Sequence, residues 1–301
     1  MPLYFLNPVV SALLFALASI AIKRAMSDGA GATRSVFVTN TTFFVALLPL
    51  WWLVPDPFPR ELLWVPVAAG LAAFLGSIFQ FVALKLGDVS VATPLLGSKV
   101  LFVALFSTLI LGNILPLSWW IGAILAGLGI FFLGQVPGKP AAGSRLGLTI
   151  FLSLLSVICF AMMDILIAGW GKTFGFPRFV VIQQLVVMVL SLGIIPFFRG
   201  SLLKMPRGCW PWLLAGSLLI VCQFYLLNWT ISTFGDPTAI NIFYSSRGIW
   251  SVLLVWGIGP LLGNLERGHG WGVFWRRILG AVLLFAAICL VVFDNPGSLP
   301  S

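Results

Sequence analysis

Ten apolar segments, separated by short polar connections, follow one another along almost the whole chain. A helix needs about 20 apolar residues to cross the roughly 30 Å hydrocarbon core of a bilayer, and most of these segments approach that length. The pattern therefore predicts an all-α polytopic membrane protein with ten transmembrane helices. The predicted spans are Pro8–Lys23, Val36–Leu53, Leu62–Leu84, Val89–Leu111, Leu117–Leu133, Leu146–Ala168, Phe179–Phe198, Trp210–Ile231, Pro237–Leu261 and Phe274–Phe293.

The longest internal connection, residues 134–145, is rich in Pro and Gly and leaves five predicted helices on each side. We predict that it joins two repeats, residues 1–138 and residues 139–301. An odd number of helices in each repeat makes the second one enter the membrane from the opposite side, so the repeats are inverted. Three features recur in order across the boundary: Gly87-Asp88 with Gly235-Asp236, Ser98-Lys99 with Ser246-Arg247, and Arg34 with Arg178.

Composition excludes several classes of protein. Hydrophobic residues make up 60% of the chain, charged residues 8%, and the mean hydropathy is +1.10, which leaves no segment for a soluble catalytic domain. Most of the cations behind the net charge of +9 flank apolar segments, where charge sets topology, so no nucleic-acid partner is predicted. The four cysteines show no CxxC spacing, and the single histidine belongs to no HExxH motif. We therefore predict no metal, no cofactor and no enzymatic activity.

Two cations lie near the middle of predicted spans. Lys99 and Arg247 would cost roughly 2.5 to 3.5 kcal/mol each if they faced lipid, so both are expected to face a polar cavity near the membrane centre. The alternative is that they only hold the helices together. Asp164 is the one acidic residue clearly inside a span, and it can neutralise only one of them. The predicted cavity is therefore net positive and suits an anion. Asp164 itself is a candidate coupling group, with a static ion pair or an interface position as alternatives.

Further polar side chains in the spans are candidates for binding a substrate by hydrogen bonds, although such residues also pair across membrane helices. The predicted substrate-binding set is Lys99, Arg247, Tyr244, Asn241, Ser98, Ser246, Gln80 and Asn40. Asp88 and Asp236 each precede an apolar helix, and Pro237 stands at the first helical position. Their carboxylates are predicted to cap these helices, with a gating ion pair as the alternative.

The chain resembles the drug/metabolite transporter superfamily, with two EamA-type repeats of five helices. The resemblance rests on Ala83-Leu84 followed by Ser90 and Ala92, on Leu111-Gly112-Asn113, and on Trp120 and Gly122 before a Gly-rich fifth helix. It implies the ten-helix fold and a transport activity. Members typically have a Pro near Val100 and an acidic residue near Asn113, and this chain has neither. The intramembrane Lys99 and Arg247 resemble the basic residues of the sugar-phosphate branch.

These observations predict a secondary transporter that moves a small anionic or zwitterionic metabolite by alternating access through a central cationic site. The alternatives are an exporter of cationic or neutral drugs or amino acids, and a non-transporting membrane scaffold. Its predicted partners are a small-molecule substrate and the lipid bilayer, and its predicted location is the bacterial inner membrane. The distribution of Lys and Arg favours both termini outside, whereas the resemblance implies both inside.

Overall fold

The computed structural model describes residues 3–53, 59–86, 95–134, 146–198, 200–202, 205–258 and 271–293, and the regular structure in these ranges is entirely helical. The α-helices are α1 (Leu6–Ala25), α2 (Ala32–Leu47), α3 (Trp64–Leu86), α4 (Lys99–Leu111), α5 (Leu117–Gly134), α6 (Leu146–Phe174), α7 (Phe176–Ser191), α8 (Cys209–Phe234), α9 (Pro237–Tyr244), α10 (Arg247–Ile258) and α11 (Trp271–Phe293). Short 3₁₀ helices at Leu3–Phe5, Leu48–Leu53, Arg60–Leu62 and Leu192–Phe197, and a π-type turn at Met26–Ala30, flank them.

This architecture confirms the prediction of an all-α polytopic membrane protein. Within the described ranges, seven helices are long and apolar enough to cross a membrane, and the shorter apolar helices Lys99–Leu111 and Leu117–Leu133 accompany them. Each of the ten predicted spans overlaps at least one observed helix. The ninth span was predicted as one continuous helix, and this is wrong: it consists of α9 and α10, with a break at Ser245 and Ser246.

Two prolines at corresponding places change the ends of their helices. Pro49 lies in the 3₁₀ helix that extends α2, and Pro196 lies in the one that extends α7. Because proline cannot donate the backbone hydrogen bond of an α-helix, the last turns tighten into 3₁₀ geometry.

Corresponding helices of the two halves of the chain make corresponding contacts. The most extensive interfaces are α1 with α8, its counterpart α3 with α6, and α5 with α11. Glycines permit the close contacts. A Cβ atom added at Gly70 on α3 would lie 2.7 Å from the Gln183 carbonyl oxygen on α7, and one at Gly216 on α8 would lie 2.7 Å from the Ile22 side chain on α1. The small residues therefore serve helix contact, as the sequence predicts.

The packing holds the central elements in place on both sides. One cluster of buried apolar side chains joins α3, α6 and α7 with parts of α8 and α9, and a second joins α4, α5, α9 and α11. The segments that carry Lys99, Asp164 and Arg247 meet between these clusters. The predicted boundary between residues 138 and 139 lies outside the described residues and stays a prediction.

Candidate functional site

Breaks in two spans position the two deep cations. In the fourth span the Ser98 hydroxyl donates to the Leu95 carbonyl (2.7 Å), and α4 begins at the next residue, Lys99. In the ninth span the Ser245 hydroxyl donates to the Asn241 carbonyl (2.9 Å), and α10 begins at Arg247. Serine hydroxyls compete for carbonyls that would otherwise accept helical N–H groups, and the backbone there forms tighter i→i+3 bonds. Each cation is thus the first residue of a half-helix, at its positive end.

Asp164 connects the two broken spans. Its Oδ2 atom lies 2.6 Å from Lys99 Nζ and accepts a hydrogen bond of 2.8 Å from Asn241 Nδ2. The carboxylate is fully buried, and its Oδ1 atom has no hydrogen-bond partner among the described residues. Lys99 and Asp164 therefore form a buried ion pair in which one carboxylate oxygen retains an open acceptor position.

Arg247 has aromatic neighbours in place of an acid. Its guanidinium carbon lies 5.2 Å from the ring centre of Phe15 and 4.9 Å from that of Tyr244. Within the part of the chain that the structure describes, no carboxylate lies within salt-bridge distance of it. Cation–π contacts retain the arginine in an apolar setting without neutralising it, so its N–H donors can bind an anion.

Both cations line one cavity of about 640 Å³. Gln80 near the end of α3, Leu133 at the end of α5, and Arg277 near the start of α11 mark one end of it. The cavity therefore extends from the helix breaks toward the end of the bundle where α3, α5 and α10 finish. Gln223, Asn228 and Ser251 are further polar lining residues. The others are mostly apolar: Phe15, Leu96, Ile130, Val157, Phe160, Met163, Phe224, Leu227 and Val252.

Aromatic side chains close the opposite end. Tyr4 stacks on Phe234 with ring centres 4.1 Å apart, and Phe5 stacks on Phe243 at 4.5 Å. The Tyr4 hydroxyl donates to Asp236 Oδ2 over 3.1 Å. Asp236 lies just before α9, whereas the cavity follows the later part of the same span, so this seal is at the end away from the cavity mouth. Burial raises the pKa of Asp236, and the Tyr4 hydrogen bond lowers it by less.

Asp236 occupies the N-cap position of α9, with Pro237 following as predicted, but its side chain makes no capping hydrogen bond. The prediction that its carboxylate caps the helix is therefore wrong, because Tyr4 approaches the carboxylate from the N-terminal segment. Asp88, the corresponding residue in the first half, lies outside the described residues.

The structure places the predicted substrate-binding residues in three groups. Lys99, Arg247, Tyr244 and Gln80 line the cavity with the coupling candidate Asp164, and Asn241 supports Asp164 from behind. Ser98 and Ser246 lie in the helix breaks, and the buried Ser246 hydroxyl has no hydrogen-bond partner in the described structure. Asn40 is elsewhere: its Nδ2 atom donates to the Ser191 hydroxyl (2.8 Å) between α2 and α7.

Sequence reasoning missed Phe15 and Arg277 as cavity residues. Phe15 carries no signal of its own, because a phenylalanine in an apolar helix is equally expected against lipid or in the core. Arg277 lies near the start of its predicted span, where a cation ordinarily sets topology, and only its packing distinguishes it from Arg276. No group of three His, Cys, Asp or Glu side chains suited to a metal ion occurs among the described residues.

Known proteins are similar to this chain in sequence and in fold. The EamA-like transporter family matches residues 3–135. An uncharacterized transporter of Archaeoglobus fulgidus is 28% identical over 295 residues, which cover 97% of this chain and 89% of that protein. An uncharacterized transporter in the cobO 3′ region of a Sinorhizobium species is 28% identical over 128 residues, or 42% of this chain and 91% of that protein.

A solved crystal structure extends the likeness to the fold of nearly the whole chain. It superposes with a TM-score of 0.73 at 18% identity and covers 96% of both chains. Together with the apolar helices, these similarities show a multi-pass integral membrane protein that is similar, over residues 3–135, to the EamA-like transporter family.

Proposed function

We propose that this transporter carries a small organic anion or zwitterion, whose negative group binds Arg247 in the central cavity. One observation carries the proposal: the described cavity wall holds three cations, Lys99, Arg247 and Arg277, but a single carboxylate, Asp164. Asp164 is paired with Lys99, which leaves a positive excess beside Arg247. A substrate anion supplies the missing charge in a place where low dielectric strengthens the attraction.

Arg247 suits a planar anionic group. Phe15 and Tyr244 hold its guanidinium, and the fork of N–H donors matches a carboxylate or a phosphate in two-point contact. The positive end of α4 reinforces the field at the same site. The apolar majority of the cavity wall suits the carbon skeleton of a metabolite.

Asp164 is the proposed coupling group. A proton bound to the Asp164 carboxylate would remove the negative charge that pairs with Lys99. The Lys99 ammonium would then be available to the substrate. When the substrate leaves and the proton is released, the ion pair re-forms. Movement of the anion is thereby linked to movement of a proton, because Lys99 pairs with either the substrate or the ionised carboxylate.

Alternating access would use the two unlike ends of the bundle. The cavity extends to one end, and the stacked rings of Tyr4 and Phe5 close the other. For transport the seal must open while the cavity mouth closes, which the paired repeats could achieve by rocking against each other. The inner membrane of a bacterium is the proposed location.

The experiment is anion binding to detergent-purified protein, followed by uptake in liposomes. Libraries of small organic anions are screened by thermal shift, since a ligand that binds the folded state raises its stability. Arg247→Ala should weaken binding of a hit about 10- to 150-fold, because a charge-assisted hydrogen bond is lost. Arg247→Lys should restore part of the affinity, because charge returns without the fork.

Arg276→Ala is the matched control, since Arg276 is exposed on α11 and does not line the cavity. It should leave anion binding unchanged. Full binding and uptake of anions by a folded Arg247→Ala variant would refute the proposed site.

A further inference from the structure

Arg277 is the cation of the cavity that neither the ion pair nor the central site uses. It lies in the second turn of α11 and lines the same cavity as Arg247, whereas its neighbour Arg276 is exposed. The Nε atom of Arg277 is buried without a hydrogen-bond partner, and no carboxylate in the described ranges lies within salt-bridge distance of it. A buried guanidinium donor without an acceptor is costly, and a bound anion would offset that cost.

Close packing of three helices sets the position of Arg277 relative to Arg247. A Cβ atom at Gly280 would lie 2.8 Å from Leu133 Cγ, and one at Gly248 would lie 2.7 Å from Leu133 Cδ1. Gly280 and Gly248 therefore lie at about the same height along the axis of the bundle. Arg277 precedes Gly280 by three residues, or about 4.5 Å of helix, on the side of the cavity mouth.

The cavity wall near the two cations is mostly apolar, and the Ser251 hydroxyl on it already donates to the Arg247 carbonyl (2.8 Å). Leu133 packs against the turns that follow both Arg247 and Arg277, and Val252 lines the wall one turn beyond Arg247. Two cationic positions separated by an apolar strip match a molecule with two acidic groups joined by a hydrocarbon chain. A polyhydroxylated body would leave most of its hydroxyl groups without partners there, since Ser251 is the polar side chain that lines this part of α10.

We propose that Arg277 forms a second anion subsite, and that the substrate class is an organic dianion such as an α,ω-dicarboxylate. One carboxylate binds Arg247 and the other binds Arg277 nearer the cavity mouth. The inference rests on the proposed function, because it assigns the first carboxylate to the site at Arg247.

The test compares α,ω-dicarboxylates of increasing chain length with monocarboxylates of the same length. Isothermal titration calorimetry on the purified full-length protein gives the affinity ratio of each pair. The unmodified protein should prefer the dicarboxylate at its optimal length by about tenfold or more, as expected for one added charge-assisted contact. Arg277→Gln should abolish that preference and leave monocarboxylate affinity unchanged. Arg277→Lys should keep part of it.

Arg276→Gln is the control, because it removes the same charge one position away and should retain the full preference. An Arg277→Gln variant that weakens mono- and dicarboxylates equally overturns the second subsite, as does an unmodified protein that binds both classes alike. The two proposals fail separately. If Arg247→Ala binds monocarboxylates normally, the central site is wrong, whereas an unchanged ratio in Arg277→Gln refutes only the second subsite.

Discussion

Lys99 Nζ and Asp164 Oδ2 are 2.6 Å apart, with the carboxylate fully buried. The pair joins α4 to α6, and Asn241 of α9 donates to the same oxygen. Lys99 is therefore committed to a protein partner, whereas Arg247, the matching cation in the second half of the chain, is held by aromatic rings. The sequence presents two equivalent cations, but the three-dimensional arrangement makes them unequal.

Removing Lys99 alone should destabilise the protein more than removing the whole pair. Lys99→Met strands a buried carboxylate, and losing one member of a buried pair costs about 3 to 5 kcal/mol of the free energy of unfolding. The double variant Lys99→Met/Asp164→Asn removes both charges and keeps an acceptor for Asn241, so it should recover most of that loss. Thermal unfolding in detergent measures the difference. Additive effects of the two substitutions would contradict the coupling.

Asp236 should make the stability of the sealed end depend on pH. Its raised pKa means that the folded state binds the proton more tightly than the unfolded state. The stabilisation is complete at a pH below the pKa of Asp236 in the unfolded chain, and it is lost as the pH rises through the raised pKa of the folded state. The unfolding temperature of the unmodified protein relative to Asp236→Asn should fall over that range.

Tyr4→Phe provides the matched variant for the same measurement. It removes the hydroxyl that favours the ionised carboxylate and keeps the ring that stacks on Phe234. The loss of stability on raising the pH should therefore become larger. A difference between the unmodified protein and Asp236→Asn that stays flat with pH would contradict the assignment.

The crossing of α5 and α11 should tolerate no side chain at two glycines. A Cβ atom at Gly129 would lie 2.9 Å from the Gly280 carbonyl oxygen, and one at Gly280 would lie 2.7 Å from the Gly129 carbonyl oxygen. Because both obstacles are backbone atoms, Gly129→Ala and Gly280→Ala should each cost about 1 to 3 kcal/mol, as overpacking does. Gly147→Ala is the control: nothing lies within 4 Å of its Cβ position, and alanine should be neutral or stabilising there. Equal effects at all three positions would argue against the close crossing.

Arg34 and Arg178, which match between the two halves of the chain, should contribute unequally to the stability of the protein. Arg34 donates to the Ser201 carbonyl (3.2 Å) and the Gly29 carbonyl (2.8 Å), and Arg178 donates to the Trp51 carbonyl (3.3 Å) while lying over the Trp51 ring. Arg34 on α2 thus contacts the segment that follows α7, and Arg178 on α7 contacts the 3₁₀ helix that extends α2. Arg178 is only 3% exposed. Arg178→Lys should therefore lower the unfolding temperature more than Arg34→Lys, and the reverse order would show that burial does not decide the effect.

The sequence alone determines the membrane class and the order of the helices. Hydrophobic length is a local property, since a span must bury about 20 consecutive residues in lipid whatever its neighbours do. The sequence also identifies three further features without coordinates: the prolines at positions 49 and 196, the glycines of the fifth span and the deep cations. The break before each cation could also have been predicted, because Ser98 before Lys99 and Ser245 two residues before Arg247 can each bond a carbonyl one turn back.

Tertiary packing alone decided which polar residues share the cavity. Asn40 and Gln80 are similar signals in the sequence, yet Asn40 bonds Ser191 between two helices and Gln80 lines the cavity. Arg276 and Arg277 are adjacent, yet Arg277 lines the cavity and Arg276 is exposed. The pairing of Asp164 with Lys99 instead of Arg247 follows the same rule. Side-chain contacts between spans depend on how each helix is rotated about its axis, and many weak apolar contacts along the whole bundle set that rotation.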